Sequence, residues 1–473
     1  MRNVSKLTAF FLILWLLSSS QSIHVFSQPQ SNDLSRKIYQ FINGQWFDGK
    51  KFQRQTFYSV GGILTKRRPS KVDETIDLAD GFVVPPFAEA HNHNLGSAVY
   101  LNGEFTQRMI QRYLAAGIFY VKIPANPADN AAILRREFVN RPDSVDVAFS
   151  NGVLTSRDGH PIGMLLDSFK QAGVAAPSVA EHDGKGFFII ESEADLLAKW
   201  ERILAGKPDF IKTILCHSQS FAKRRETPTL FGYNGLDPQL MPRIVKQAHA
   251  ARLRVSTHVN SAADFAVAVR AGVDEINHLP GIKFDQGTNE ADYLITAEDA
   301  KRAARQGTVV VTTANLAKFF AKDEALAKVQ SAQRKNLQLL KQHGVRLAVG
   351  SDNYTTTSVE EALYLKSLNV FDNAELLKMW SVTAAQTIFP RRKIGHLREG
   401  YEASFIVLRG SPLENFERVR EIQLRFKQGL LINAAQWRAS SNTTSHWAGT
   451  IPGASEWRLC KLSYKTCTTA CEC

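Results

Sequence analysis

The chain has 473 residues, 44% of them hydrophobic and 22% charged, which is ordinary globular composition with enough apolar material for a large core. The net charge is +13, and basic residues cluster at positions 66–68, 223–225 and 391–393. Such clusters either attract anionic partners or form solvated loops, and we favour loops. Because no helix-turn-helix, zinc-finger or RNA-binding signature accompanies the charge, the composition excludes nucleic acid as the expected partner.

The first residues have the layout of an export signal. Arg2 and Lys6 begin the chain, residues 7–17 (LTAFFLILWLL) are apolar and uncharged, and a serine-rich stretch follows. This apolar run is too short to cross a bilayer. We therefore predict a cleaved signal peptide at residues 1–27, with the cut after Ser22 or Ser27, and a periplasmic or secreted protein without stable membrane insertion afterwards. An uncleaved anchor is the alternative.

Short β elements follow in residues 28–82, where the segment KIYQFINGQWFDG predicts a hairpin with its turn at Asn43-Gly44. From residue 83 to 390, short apolar strands alternate with amphipathic helices, beginning with FVVPPFAEAHNH and ending with VRLAVGSDN. Strict alternation predicts an α/β fold with parallel strands, and eight such units predict a (β/α)8 TIM-like barrel. An open doubly wound sheet is the alternative, although no G-x-G-x-x-G follows the first strand.

After the eighth unit, residues 391–435 return to short strands. These strands predict a small β-sandwich domain formed together with residues 28–82, so that both termini contribute. The tail, residues 436–473, has few apolar periodicities and is predicted to be poorly ordered. It contains four cysteines that could pair as disulfides in an exported protein: Cys460, Cys467, Cys471 and Cys473.

Metal-ligand side chains fall at the ends of the predicted parallel strands, where active sites of such barrels lie. The set consists of two histidines two residues apart, a lysine within an apolar strand, two further histidines and an aspartate: His91, His93, Lys212, His258, His278 and Asp352. Because side chains at i and i+2 of a strand share a face, the first two imidazoles should converge. The alternatives to a metal site are that the histidines are strand-end or core residues, that Asp352 caps a helix and that the lysine pairs with an acid.

The segments VVPPFAEAHNH, DFIK, VDEINHLPG and AVGSDN resemble those of the amidohydrolase superfamily of metal-dependent hydrolases, and are most similar to its imidazolonepropionase and prolidase-like branch. The resemblance implies two divalent metal ions, with zinc expected. It implies that His91 and His93 bind the more buried ion, and that His258 and His278 bind the more exposed one.

By the same resemblance, Lys212 is N6-carboxylated and bridges both ions, while Asp352 binds the buried ion and acts as the catalytic base. His160, in the loop after strand three, is the predicted substrate contact, with a surface-loop histidine as the alternative. Lys122 stands where the family commonly has an arginine on strand two. It either lines the pocket or is structural, and we favour a structural role.

The expected reaction is hydrolysis, by a metal-activated hydroxide, of an amide, cyclic amide or peptide-like C–N bond other than an ordinary peptide bond. The same groups could hydrolyse a lactone or phosphotriester. A mononuclear deaminase is a rival, but Ser261 stands three residues after His258, where deaminases usually carry a glutamate. A non-catalytic binding protein on this scaffold is the rival from another class, although all six ligands are present. The expected partner is a small molecule or short peptide, and a homo-oligomer stays open.

Overall fold

The computed structural model describes residues 37–96, 102–171, 178–285, 287–354 and 356–432. The predicted signal peptide and the cysteine-containing tail lie outside the described residues. Within those residues, no helix has both the length and the hydropathy needed to cross a bilayer.

The strands are β1 Tyr39–Phe47, β2 Phe52–Val60, β3 Ile63–Thr65, β4 Glu74–Asp77, β5 Phe82–Val84, β6 Phe87–Glu89, β7 Ile118–Ile123, β8 Asp146–Phe149, β9 Leu154–Thr155, β10 Phe188–Ile189, β11 Ile211–Ile214, β12 Val255–His258, β13 Glu275–Asn277, β14 Val309–Val311, β15 Arg346–Ala348, β16 Phe405–Leu408, β17 Ile422–Lys427 and β18 Leu430–Leu431.

The helices are α1 Gly103–Ala115, α2 Ala128–Glu137, α3 Ile162–Gln171, α4 Val179–His182, α5 Glu193–Ala205, α6 Phe221–Arg225, α7 Met241–Ala250, α8 Ala262–Ala271, α9 Ala297–Gln306, α10 Ala317–Phe320, α11 Asp323–Gln342, α12 Ser358–Ser367, α13 Asn373–Lys378 and α14 Ala384–Ile388. Short 3-10 helices span Ser218–Ser220, Pro228–Leu230, Pro238–Leu240, Glu290–Tyr293, Ala314–Leu316 and Phe416–Arg420, and a π-helical turn spans Met379–Thr383.

Strands from both ends of the described chain form one eight-stranded sheet, in the order β18-β17-β16-β5-β1-β2-β3 with β4 beside β1. Its core is aromatic: the Phe41 ring lies 4.9 Å from the rings of both Phe405 and Phe426, centroid to centroid. These edge-to-face contacts join the two ends of the chain. The predicted contribution of both ends to one β unit is therefore observed, whereas its description as a sandwich stays a prediction.

The predicted hairpin turn at Asn43-Gly44 is wrong. β1 runs through both residues, and the β1–β2 register shifts between Phe41 and Gly44, with Asn43 at a φ of 55°. This is a β-bulge, which favours the same left-handed residue as a hairpin turn. Gly44 is needed there because a Cβ would lie 2.7 Å from a methyl group of Leu78. The chain instead reverses after Phe47, where Asp48 accepts hydrogen bonds from following amides.

The middle of the chain is α/β with parallel strands, as predicted. One sheet has the order β6-β7-β8 and the other has the order β10-β9-β11-β12-β13-β14-β15, and every strand pair that defines them is parallel. Each of the eight predicted strand segments contains an observed strand, and the two-residue strands β9 and β10 were not predicted. Backbone hydrogen bonds join the sheets on both sides, from Ala90 N to Val349 O and from Asp209 N to Phe149 O.

The helix α8, which connects β12 to β13, is capped at both ends. Before α8, Ser261 caps the amide of Asp264, and the Asp264 carboxylate caps the Ser261 amide in return. The helix ends at Gly272, whose φ of 83° suits glycine. Because α8 connects β12 to β13, these caps define the connection between the strand that ends at His258 and the strand that His278 follows.

Candidate metal centre

Three of the predicted ligands form a compact group at the carboxyl ends of the parallel strands. The ligand atoms of His91, His93 and Asp352 all lie within 4.8 Å of one another. The Asp352 carboxylate oxygen Oδ1 is 3.2 Å from Nε2 of His93 and 3.6 Å from Nε2 of His91. Two imidazole nitrogens and a carboxylate oxygen at this spacing form a suitable donor set for a divalent ion.

His91 and His93 converge for a reason other than the predicted one. β6 ends at Glu89, so both histidines follow the strand and the same-face rule does not apply to them. Their loop is held by the neighbouring chain segments, because the Asp352 amide donates to His91 O at 2.7 Å and the Asn92 amide donates to Lys122 O at 3.1 Å. The ring centroids of the two histidines are 5.1 Å apart.

The remaining predicted histidines continue this group as a row of neighbouring rings. The centroid of His278 is 4.9 Å from that of His91 and 4.3 Å from that of His258. His160 lies at the end of the row, 5.1 Å from His258. The structure therefore brings all five predicted histidines together, although they come from four separate stretches of the chain.

One ring nitrogen of His278 and one of His258 lie within hydrogen-bonding distance of a neighbouring side chain. Nδ1 of His278 lies 2.7 Å from the hydroxyl of Thr313, and Nε2 of His258 lies 2.5 Å from Oδ1 of Asn260. A ring nitrogen that donates to such a partner leaves the other nitrogen as the lone-pair ligand. Because Oδ1 of Asn260 can only accept, Nε2 of His258 carries the hydrogen and Nδ1 keeps the lone pair, whereas the Thr313 hydroxyl can either accept from or donate to Nδ1 of His278. Sequence reasoning did not identify Thr313 or Asn260 as partners.

The strand ends adopt strained backbone at the site. His278, Thr313 and Asp352 have φ values of 78°, 42° and 50°, in the left-handed region that non-glycine residues rarely occupy. Each such residue costs about 1–3 kcal/mol, which the surrounding packing must offset. The alternative of Asp352 as a helix cap is wrong, because the next helix, α12, begins at Ser358 with Thr357 before it.

Burial keeps the imidazoles neutral. It is the main cause that lowers the pKa of His93 to about 3 and of His160 to about 4, with the Lys212 charge contributing in the same direction. Burial also places the pKa values of His91, His258 and His278 well below their ordinary range. A neutral imidazole is the form that binds a metal ion, so these residues need lose no proton at neutral pH.

Lys212 and Asp352 influence each other across the same group. Burial lowers the pKa of Lys212, while the Asp352 charge opposes that shift. Burial also raises the pKa of Asp352, and the Lys212 charge opposes it. Both shifts favour the neutral forms, so the amine of Lys212 is more available for chemical modification than an exposed lysine would be.

A buried polar network lies beside Lys212, and sequence reasoning missed it. Lys212 Nζ donates to Oδ1 of Asn277. Nδ2 of Asn277 donates to Glu275 at 2.9 Å, and Glu275 pairs with Lys122 Nζ at 2.6 Å. Lys122 therefore lies in a buried ion pair, which agrees with a structural role. The two polar residues Glu275 and Asn277, on either side of Ile276 in a strand expected to be buried, were the signal that could have revealed the network.

A second buried acid supports the loop that follows β6. Both oxygens of Glu89 accept from Ser351, one from its amide at 2.7 Å and one from its hydroxyl at 2.8 Å. Asn92 donates to the same hydroxyl at 2.8 Å. Burial raises the pKa of Glu89 to about 8 against these bonds. The contacts link the residues next to His91 with those next to Asp352, on strands far apart in the chain.

A polar cavity of about 490 Å³ lies at the opposite, amino-terminal edge of the strands. Arg254, Asp274 and Arg346 are among its lining residues, and Arg254 immediately precedes β12. Because none of the predicted site residues lines this cavity, it is separate from the group of histidines.

The chain matches the family model described as "Amidohydrolase family" over residues 158–425. Ochratoxinase from Aspergillus niger is 26% identical over 191 residues, a match that spans 39% of this chain and 38% of that relative. The chain thus matches less than half the length of this curated relative.

Solved structures share the fold over most of the chain. A Xaa-Pro dipeptidase with bound methionine superposes with a TM-score of 0.63 at 18% identity, covering 84% of this chain and 100% of that one. Aspergillus niger ochratoxinase gives 0.62 at 19%, covering 84% and 95%. Molinate hydrolase gives 0.64 at 14%, covering 89% and 98%. With the family match spanning more than half of its residues, this chain belongs to the amidohydrolase family.

Proposed function

We propose that this protein is a metal-dependent hydrolase that cleaves the C–N bond of an amide, a cyclic amide or a peptide-like compound. The observation that carries the proposal is the convergence of His91, His93 and Asp352, whose ligand atoms lie within 4.8 Å of one another. Family membership supports hydrolysis of such bonds. Among the family's branches, we assign the chain to the imidazolonepropionase and prolidase-like one.

The donor set fits two divalent ions, with zinc expected from its imidazole nitrogens and carboxylate oxygen. His91, His93 and Asp352 would hold one ion, His258 and His278 would hold the other, and Lys212, carboxylated on its amine, would bridge them. When bound, such ions lower the pKa of a water molecule and polarise a carbonyl group.

The chain's own residues then move the protons. Asp352 accepts a proton from the attacking water and passes it to the leaving nitrogen, as a general base and then a general acid. Its backbone is fixed by the 2.7 Å bond to His91 O, so the carboxylate keeps its place during the transfer. His160, at the end of the row of rings, contacts the substrate, and its neutral imidazole can donate or accept one hydrogen bond.

The proposal also includes closure of the barrel, the domain boundaries and export of the protein. We infer that the parallel strands close into a (β/α)8 barrel, since backbone bonds join its two sheets on both sides. We assign residues 28–82 and 391–435 to the small β domain and residues 83–390 to the barrel. The apolar start of the chain supports export by a signal peptide at residues 1–27.

The rival functions have less support. A deaminase of this fold needs a proton-shuttling acid near His258, but the residue three positions on is Ser261, whose hydroxyl caps α8. A non-catalytic binding protein of this fold is expected to lose some of its metal-binding residues. All six predicted metal-binding residues are retained here. Lactones and phosphotriesters remain alternative substrates that the same metal-binding residues could hydrolyse.

The test is turnover by the full-length protein loaded with zinc. The substrate panel contains Xaa-Pro dipeptides, N-acyl amino acids, lactams, hydantoins, thiocarbamates and phenylureas, with lactones and phosphotriesters as the alternative class. We expect C–N hydrolysis that the Asp352→Asn variant loses and that Asp143→Asn, an exposed acid paired with Arg141, retains. Complete inertness of the zinc-loaded protein on the panel would refute the proposed function.

A further inference from the structure

Three neighbouring strands place a buried lysine, a serine and two acceptor side chains together. Lys212 on β11 is in register with Ser256 on β12, and Ser256 is in register with Glu275 on β13. Asn277 lies two residues beyond Glu275, on the same face of β13 and one level closer to the histidines. All four residues are buried, with exposed fractions of 3% or less.

The orientation of the Asn277 amide is determined by its neighbours. Nδ2 donates to Glu275 Oε1 at 2.9 Å, so Oδ1 faces Lys212 Nζ and the Ser256 hydroxyl, the latter at 2.9 Å. Turning the amide over would place its NH2 group against the Lys212 amine and its oxygen against the Glu275 carboxylate. Because the flipped amide would set its oxygen against the Glu275 carboxylate, Asn277 presents its oxygen, an acceptor, to Lys212.

Glu275 is itself fixed from several directions. Its oxygen Oε1 accepts from Lys122 Nζ at 2.6 Å and from the Ser256 hydroxyl at 2.8 Å, and Oε2 accepts from the Thr387 hydroxyl at 2.7 Å. A carboxylate held by so many donors cannot move towards Lys212. The lysine therefore contacts a neutral acceptor, Asn277, and the nearest strand acid is occupied by Lys122.

We propose that Asn277 is a positioning residue for the carboxylation of Lys212, an inference that rests on the proposed function. A neutral lysine amine carries two hydrogens and one lone pair. One N–H points at Asn277 Oδ1, so the lone pair and the second hydrogen face away from Asn277. The amine is thus held in the orientation that carbon dioxide must meet.

Carboxylation of the lysine amine requires only carbon dioxide and water. The nitrogen lone pair attacks the carbon atom, an N–C bond forms, and one C=O π pair moves onto oxygen. The nitrogen then loses one proton to water, which gives a carbamate of the form R–NH–COO⁻. This product keeps a single N–H, and that hydrogen can continue to donate to Asn277 Oδ1. The same acceptor therefore serves the free amine and the carbamate.

The test measures the carbamate itself. Full-length protein is loaded with zinc and equilibrated with 13C-bicarbonate, and the carbamate carbon is quantified by 13C NMR per folded chain. At low bicarbonate, we expect Asn277→Ala to carry at least about tenfold less carbamate than the parent protein. This is the size of effect that follows when a metal-binding residue loses its hydrogen-bond partner. Raising bicarbonate should restore the signal by mass action. The matched control is Thr213→Val, which removes a buried hydroxyl pair between Thr213 on β11 and Thr257 on β12.

Each outcome decides the proposal. Equal carbamate in Asn277→Ala and the parent protein would overturn it, as would a parent protein without carbamate. If Asn277→Ala does not fold, Asn277→Thr suits a strand and still lacks an acceptor of the required length, and it should show the same loss. A loss of signal in Thr213→Val as large as that in Asn277→Ala would show a general packing effect and would also overturn the proposal. Because no substrate is involved, a carbamate that depends on Asn277 in a protein without turnover would refute the proposed function alone.

Discussion

Replacing Lys122 by methionine tests the energetics of the buried pair that supports the site. The side chains of Lys122 and Glu275 are 5% and 1% exposed, and their charged atoms are 2.6 Å apart. Methionine keeps the length of the apolar stem and removes the charge. Glu275 is then left buried with hydrogen bonds but without its closest cation.

The expected loss of stability follows from two independent figures. Burial alone would raise the pKa of Glu275, yet Lys122, Arg254 and hydrogen bonds lower it from 4.5 to about 2. That difference corresponds to about 3 kcal/mol, at about 1.36 kcal/mol per tenfold change. Removing one partner of a buried pair costs about 3–5 kcal/mol. Burial also lowers the pKa of Lys122, because desolvation of the charged lysine is unfavourable. Replacing the lysine removes this desolvation cost, so we expect a loss of stability at the lower end, about 3 kcal/mol.

The pH dependence has a definite sign. Because the pKa of Glu275 is lower in the folded state than in the unfolded state, its contribution is present above about pH 4.5 and is lost as the pH falls towards about 2. The difference between the parent protein and Lys122→Met should therefore be largest near neutral pH and should shrink below about pH 4.5.

The assay is urea unfolding of metal-free protein, followed by tryptophan fluorescence at pH 7, 4.5 and 3. The control, Lys328→Met, removes an exposed pair with Glu324 at 2.8 Å and should have no measurable effect. A second variant, Lys122→Met with Glu275→Gln, removes both charges and should recover part of the loss. The reasoning fails if Lys122→Met alone is as stable as the parent, or if its deficit does not change with pH.

Three further predictions concern the metal centre. Asp352→Asn should lower kcat/KM by about 10²–10⁴-fold with an unchanged far-UV spectrum, because asparagine tolerates the left-handed backbone; normal turnover would contradict the role of a base. His258→Ala should lose turnover and part of the bound zinc, measured by mass spectrometry, whereas His249→Ala at the opposite edge should lose neither. Thr313→Val should weaken zinc binding about 10–100-fold in a competitive chelator titration, since His278 loses its orienting hydroxyl; unchanged affinity would show that the bond is dispensable.

The sequence predicted the parts of the fold that local pattern determines. Alternating strands and amphipathic helices are properties of short stretches, and each predicted strand segment contains an observed strand. The site residues were predictable because parallel strands bring their carboxyl ends to one edge. That single rule is sufficient to place side chains far apart in sequence at the same edge of the sheet.

The failures arose where tertiary contacts decide between local options. Asn43-Gly44 suits a turn and a bulge equally, and packing against Leu78 favours the bulge. The loop after β6 is held by backbone hydrogen bonds from Asn92 and Asp352. The i and i+2 spacing therefore predicted the convergence of the two histidines correctly, but for an incorrect reason. The partners of the ligands, Asn277 among them, come from other strands and are visible only once the strands are in register.

The most direct test of the metal centre is anomalous diffraction at the zinc edge from crystals of the zinc-loaded protein. We expect two peaks, one bound by His91, His93 and Asp352 and a neighbouring one bound by His258 and His278, with density bridging both at Lys212. Peaks located elsewhere, or none among these side chains in a protein that retains activity, would contradict the assignment.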